Sequence, residues 1–274
     1  MPILEQIYIY PVKSLGGFPV DAWPVARTGL LYDRKWMLVD AEGQFLSQRR
    51  LPRMALLHAL IAGEALRLST AGAADLVLPL RAAEDAPEVE VTVWGDRCLA
   101  KHVSAEADAW LSRALDFPCR LALQPDDDLR QVDLNYAASG DMTAFSDGFP
   151  MLLTSTPSLD ALNAAMGLNL SMLRFRPNLV AGDCAAYAED LWRRVRIGDI
   201  TFRLPKPCSR CAVPTIDPVT ASGGKEPLTT LSRLRQWNKK VYFGQNLIHD
   251  AEGMLQCGAP IEVLDTGAPQ PPIN

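Results

Sequence analysis

Apolar and polar positions alternate through Ile3-Leu4-Glu5-Gln6-Ile7-Tyr8-Ile9-Tyr10, a period of two that predicts a strand with one buried face. Residues 35–40 and 45–49 flank Ala41-Glu42-Gly43-Gln44 and read as a hairpin. Glu88 to Trp94 alternates again, Gly95-Asp96 turns the chain, and a second strand follows over 98–103. The period then changes. Ser104 is placed to cap a helix reaching Leu115, with Glu106 and Asp108 in its first turn and Trp110, Leu111, Ala114 and Leu115 on one face. Polar residues from Gln124 to Ser139, opened by Asp126-Asp127-Asp128, read as a solvated connection and a domain boundary. Beyond it the pattern predicts a helix from Pro157 to Met166, a strand over 175–181, a hairpin over 195–204 about Gly198-Asp199, and closing strands over 241–248 and 261–264. The Pro- and Gly-rich end from Thr266 predicts a frayed tail. Many short strands, few helices and no βαβ alternation favour an α+β, β-rich fold with barrel-like sheets.

The 274 residues are enough for two cores. A 48% hydrophobic and 22% charged composition excludes a disordered or fibrous chain. The net charge of −5 argues against a general binder of nucleic acid or anionic membrane, while leaving room for a local basic pocket. No apolar run approaches the roughly 20 residues that span a bilayer, and the N-terminus lacks the character of a secretion signal, so a cytoplasmic location is expected. Cys98, Cys119, Cys184, Cys208, Cys211 and Cys257 are then expected as thiols, metal ligands or catalytic groups.

The densest chemistry lies in Lys206-Pro207-Cys208-Ser209-Arg210-Cys211-Ala212-Val213-Pro214-Thr215-Ile216-Asp217. Two cysteines three apart are half of a zinc site, a dithiol redox pair, or one ligand with an incidental neighbour. His58, His102, His249 and the other cysteines are all isolated in sequence, which disfavours zinc. Pro205, Pro207 and Pro214 forbid the regular helix of a thioredoxin-like pair. A loop offering one thiolate beside Arg210 fits better, because a neighbouring cation favours the ligand form; Cys208 is then expected as a small buried side chain.

This segment, with Lys225-Glu226-Pro227-Leu228-Thr229-Thr230-Leu231 after it, resembles the molybdenum-cofactor sulfurase C-terminal (MOSC) domain. YPVKSL from Tyr10 and YDRKWMLVD from Tyr32 resemble the N-terminal β-barrel domain of the branch that contains the amidoxime-reducing proteins. FRPNLV from Phe175, AEDLW from Ala188, IGD from Ile197 and FGQN from Phe243 continue the likeness. The resemblance implies a MOSC β-barrel domain (124–266) packed with a smaller N-terminal barrel-like domain (1–123), followed by a flexible tail (267–274).

It also implies roles. Cys211 would be the thiolate on molybdenum; Lys13, Ser14, Arg34, Arg176, Asn178, Ser209 and Arg210 would surround the pterin and its phosphate. Guanidinium forks and a lysine point charge are the groups such an anion selects, and thiolate suits a metal already held by sulfur. Asp147 matches the family in FSDGFP, where Gly148 and Phe149 replace hydroxyl-bearing residues and offer only backbone groups. Asn178 and Asp147 are the candidates for substrate contact and proton supply. The implied activity is reduction of N-hydroxylated compounds to amines. The plant-type ferredoxin cysteine spacing carried by some relatives is missing here, so electrons are expected from a separate ferredoxin- or flavin-type reductase. The alternative is a cofactor carrier or sulfur-relay module without turnover.

Overall fold

A computed structural model describes residues 1–272. Its largest sheet has nine strands. In spatial order the main path runs Phe18–Val20, Ile3–Ile9, Leu179–Gly182, Met151–Ser155, Lys240–His249, Ile200–Ser209, Trp192–Ile197 and Ile261–Thr266, and Gln236–Trp237 pairs beside Lys240–His249. A four-stranded sheet is ordered Trp36–Val39, Arg120–Leu123, Asp96–His102 and Glu88–Val93. Smaller sheets complete a β-rich α+β fold with three short α-helices.

The first strand shows how sequence period and packing are reconciled. Leu4, Ile7 and Ile9 are all buried, although Leu4 and Ile7 are three apart and a regular strand would turn them to opposite faces. Pairing slips between Leu4 and Gln6 against Leu179–Gly182, so Glu5 is the extra residue of a bulge that returns Ile7 to the core side. This strand belongs to the same sheet and core as Leu153, Leu179, Phe202 and Leu247. The expected division at residue 124 therefore does not divide the sheets. A second core gathers Trp36, Leu38 and Leu121 with Trp110 and Leu111 of helix α1 (Ala105–Leu115). Ser104 caps α1 through its side-chain oxygen, as the sequence predicts.

Several local expectations are corrected. Helix α2 (Thr156–Met166) joins Met151–Ser155 to Leu179–Gly182, and these strands run parallel, so one βαβ unit exists where none was expected. The strand expected from Phe175 starts only at Leu179, because Arg176 has φ +54° and Pro177 follows it. The expected hairpin over 35–49 pairs only at Val39 and Phe45; the chain then turns at Ser47, whose carbonyl accepts the amides of Arg50 and Leu51. The polar stretch 124–139 is not wholly solvated. Arg130 is buried, pairs with Asp96 at 2.6 Å, and donates to the carbonyls of Ala144 and Ser146. The tail is docked as far as Pro271, which is buried: the Gly267 amide donates to Leu191, the Gln270 amide to Asp190, and Gln245 Nε2 to the Gln270 carbonyl at 2.7 Å. Asn274 and Ile273 of the expected flexible tail lie outside the described residues.

Two motifs of the second half are used in this docking. Asp190 and Arg235 form an ion pair at 2.6 Å, both almost fully buried, and Gln245 Nε2 donates to the other Asp190 oxygen at 2.8 Å. Gly244, just before Gln245, has φ +77°, and a Cβ there would lie 2.6 Å from the Leu153 carbonyl oxygen. Only glycine permits that approach.

Candidate functional site

Where strand ends and loops converge, an open cleft of about 160 Å³ collects residues far apart in the chain. Lys13 and Ser14 follow the first strand, Arg34 precedes Trp36–Val39, and Asp147 precedes Met151–Ser155. Arg176 and Asn178 precede Leu179–Gly182, and Cys208 to Cys211 end Ile200–Ser209. Every site residue expected from the sequence lines this one cleft. Ser14 (φ +70°), Arg34 (φ +50°) and Arg176 (φ +54°) all adopt the left-handed backbone that side-chain-bearing residues seldom take. Such conformations persist only where the surroundings hold them, and they gather at functional sites.

The surroundings here are specific. The Arg34 amide donates to the Tyr10 carbonyl and the Lys13 amide to the Trp36 carbonyl, each at 2.8 Å. Arg34 Nη1 donates to Asp33 Oδ2 at 2.5 Å and to Asn178 Oδ1 at 3.0 Å, while its Nη2 reaches the Arg176 carbonyl at 3.1 Å. The buried Tyr10 ring carries both guanidiniums, with Arg34 Cζ 4.5 Å and Arg176 Cζ 4.3 Å from its centroid. Tyr10 is the residue sequence reasoning passed over, although it opens YPVKSL. Burial, with Arg34 as a like charge beside it, brings Arg176 down to about 10. Burial pushes the Asp33 carboxyl up, against the pull of Arg34.

Lys13 is buried and donates to the Phe145 carbonyl at 2.7 Å and to Asp147 Oδ1 at 2.5 Å. Burial lowers the Lys13 pKa, partly offset by Asp147. For Asp147, whose side chain is largely exposed, loss of water at the carboxyl acts upward but is outweighed by the Lys13 ammonium, its hydrogen bond and that of Trp94 Nε1, so the carboxyl stays well below the usual range. An ionised Asp147 accepts hydrogen bonds, here from Lys13 Nζ and Trp94 Nε1. Asn178 is buried, its Oδ1 accepts from Arg34 and from the Leu152 amide, and its Nδ2 donates to the Tyr8 carbonyl. Both ends of its side chain are thus engaged within the protein, one of them with Arg34.

At the cysteine pair, Arg210 Nη1 lies 2.9 Å from Cys208 Sγ, and its Nη2 donates to the Phe175 carbonyl. The cation expected beside Cys211 is therefore directed at Cys208, and Cys208 is half-buried on the cleft wall instead of enclosed in the core. The loop beyond is braced by Arg174, whose Nη2 pairs with Asp217 at 2.6 Å and whose Nη1 reaches the Pro214 carbonyl. Asp217 Oδ1 also accepts the amides of Val219 and Thr220, which closes the turn after Pro214.

The cleft is lined by six basic side chains (Lys13, Arg34, Arg49, Arg174, Arg176, Arg210) and one carboxylate, Asp147, in a chain of net charge −5. Arg176 Nη2 and Arg210 Nε are enclosed and have no hydrogen-bond partner among the described residues. Buried guanidinium donors without acceptors are costly, and an anion in the cleft would satisfy them. Among the described residues no three His, Cys, Asp or Glu side chains converge as metal ligands. A metal held here by Cys211 would need its remaining donors from another group.

This fold and cleft define a two-part protein of the MOSC class. Residues 1–118 match the MOSC N-terminal beta barrel domain and residues 141–262 the MOSC domain. The chain belongs to the MOSC family. It is 32% identical over 280 residues to the mitochondrial amidoxime-reducing component 1 of Mus musculus, covering 95% of this chain and 82% of that protein. The Homo sapiens counterpart gives the same identity and coverage. The molybdenum cofactor sulfurase of Danio rerio is 33% identical over 270 residues, covering 90% of this chain and 32% of that longer protein. No helix among the described residues is long and apolar enough to cross a membrane.

Proposed function

We propose that the chain is a molybdenum-cofactor-dependent oxidoreductase that reduces N-hydroxylated compounds to amines. The observation that carries this reading is the cleft itself: six basic side chains, two enclosed guanidinium donors without partners among the described residues, and the Cys211 side chain on its wall, with Cys208 beside it facing Arg210. That donor set fits a phosphate-bearing pterin whose own sulfurs complete the metal's coordination. The family, and the similarity to amidoxime-reducing proteins along most of the chain, support the substrate class.

When bound, the cofactor would supply the two-electron redox chemistry. The overall change is R–NH–OH + 2 e⁻ + 2 H⁺ → R–NH₂ + H₂O, with the electrons delivered by a separate ferredoxin- or flavin-type protein. In this reading Cys211 ligates the metal. Lys13, Ser14, Arg34, Arg176, Ser209 and Arg210 bind the pterin and its phosphate. Asn178, through Arg34, keeps that cradle in position. Asp147, held as an anion by Lys13, accepts a hydrogen bond from the substrate's N–H or O–H and orients it.

The test is the molybdenum and pterin content of protein made in a host that synthesises the cofactor, beside Cys211→Ala. Near-stoichiometric metal in the parent, lost in a variant that unfolds at the same temperature, is expected. Normal N-reduction by Cys211→Ala would refute the proposal. The sulfurase likeness favours a second reading, a carrier that binds the cofactor without turnover. A loaded protein that leaves amidoximes unreduced with a chemical electron donor would select the carrier.

A further inference from the structure

The short loop from Ser146 to Phe149 separates two parts of the cleft. Asp147 faces Lys13 and Trp94 on one side, and Arg49 stacks on Trp94 at 4.4 Å. On the other side Phe149 meets Tyr136 edge to face, with centroids 6.2 Å apart. Lys206 Nζ stands over the Tyr136 ring at 4.2 Å and 5.9 Å from the Phe149 centroid. Phe149 and Asn246 line the cleft, and Asn246 Nδ2 donates to the Lys206 and Pro207 carbonyls, which fixes the backbone from which Lys206 extends.

Among the described residues Lys206 lacks a counter-charge, as does Arg49, which lies on Trp94 on the far side of Asp147. Lys13, Arg34 and Arg174 are ion-paired with Asp147, Asp33 and Asp217. Arg176 and Arg210 donate to the carbonyls of Leu15 and Phe175. Among the described residues Lys206 Nζ has neither an ion pair nor a hydrogen bond. Two aromatic faces hold it in a fixed place while leaving its N–H donors open. Tyr136, 40% exposed, comes from the polar stretch 124–139, so that segment packs beside Phe149, which lines the cleft.

We infer that Phe149, Tyr136 and Lys206 form a substrate subsite that selects a flat aromatic ring carrying an anionic group. The aromatic edge packs the ring, and the ammonium pairs with a carboxylate or phosphate on it. Phe149 and Gly148 carry no polar side-chain atom, so the loop is apolar here and the charge comes from Lys206. The inference rests on the proposed N-hydroxy reductase reading and names the substrates within that class.

The test compares benzamidoxime with 4-carboxybenzamidoxime and 4-phosphonobenzamidoxime, using loaded protein and its Lys206→Met and Lys206→Arg variants. Methionine preserves the aliphatic stem over Tyr136 and removes the charge. Binding of the unreactive products, benzamidine and 4-carboxybenzamidine, is measured by calorimetry alongside turnover. The expected result is a KM and a product Kd about five-fold lower for the anionic members, as for one partly exposed charge pair. The preference is lost in Lys206→Met and kept in Lys206→Arg. Preference for the carboxylate alone or the phosphonate alone would identify the anion. Turnover of all three without discrimination, or discrimination surviving Lys206→Met, would overturn the subsite and leave the reductase reading standing. Selective product binding without any turnover would keep the subsite and remove the reductase reading.

Discussion

Lys13 and Asp147 meet at 2.5 Å across 134 residues of chain, joining the loop after the first strand to the loop before Met151–Ser155. The lysine is 4% exposed and the aspartate side chain 69%, so the pair has one dry end and one wet end. Asp147→Asn removes the counter-charge of an enclosed ammonium. Because Asp147 is well solvated, the expected cost at pH 7 is held to about 1 kcal/mol. A carboxyl whose folded pKa is depressed contributes stability above the unfolded carboxylate range and loses it as pH falls through the folded value. The gap between parent and variant in urea unfolding should therefore persist to pH 4 and close only below it. A gap that closes between pH 6 and 5 would contradict the assignment.

Asn178→Ala leaves the Leu152 amide and the Tyr8 carbonyl without partners and unhooks Arg34 Nη1. Thermal unfolding should report a loss of about 2–3 kcal/mol. Pterin retention should fall with it. Asn178→Asp keeps both acceptor bonds but sets a carboxylate oxygen against the Tyr8 carbonyl, so it should remain less stable than the parent.

Cys208→Ser keeps an acceptor in reach of Arg210 Nη1, while Cys208→Ala removes it. Both variants are expected to keep the parent's molybdenum content, with Cys208→Ala the less stable by about 1 kcal/mol. Metal analysis decides the matter. Zinc in the parent, or metal lost from Cys208→Ser, would restore the dithiol or zinc reading.

Glu189 is buried and receives hydrogen bonds to Oε2 from Ser155 Oγ at 3.0 Å and Ser158 Oγ at 2.9 Å. Burial raises its pKa, so the folded state binds this proton more tightly than the unfolded chain and stability falls as pH rises through that interval. Each unit of such a rise is worth about 1.4 kcal/mol. Glu189→Gln keeps the acceptor and discards the charge. It should be more stable than the parent at pH 8 and lose that advantage by pH 4, as read from denaturant midpoints.

Local order was legible where one residue decides it. Ser104 starts α1, and Gly198 turns the hairpin between Trp192–Ile197 and Ile200–Ser209. The cleft was legible through the resemblance, because its residues sit in short quoted motifs. Partnerships across the chain were not. Arg130 reads as a solvated charge until Asp96 and two carbonyls, from 14 to 34 residues away, enclose it. Tyr10 reads as one more alternating strand residue until two guanidiniums settle on its ring. Arg210 is next to Cys211 in sequence, yet the backbone turns its side chain toward Cys208. The bulge at Glu5 left no local mark, since nothing in ILEQIYI says which residue the opposite strand will skip.

The first strand's position has a practical outcome. Ile3–Ile9 lies inside the large sheet, hydrogen-bonded on one side to Phe18–Val20 and on the other to Leu179–Gly182. A cut in the polar stretch near residue 130 parts this strand from the sheet it completes. The downstream fragment would expose a bare edge at Leu179–Gly182 and the apolar seat of Leu4, Ile7 and Ile9, the kind of surface on which chains pair with one another. The two pieces should be insoluble or loosely packed when expressed singly and should reassemble when expressed together. For this molecule, complementation of halves is the informative dissection, and excision of a single domain is not.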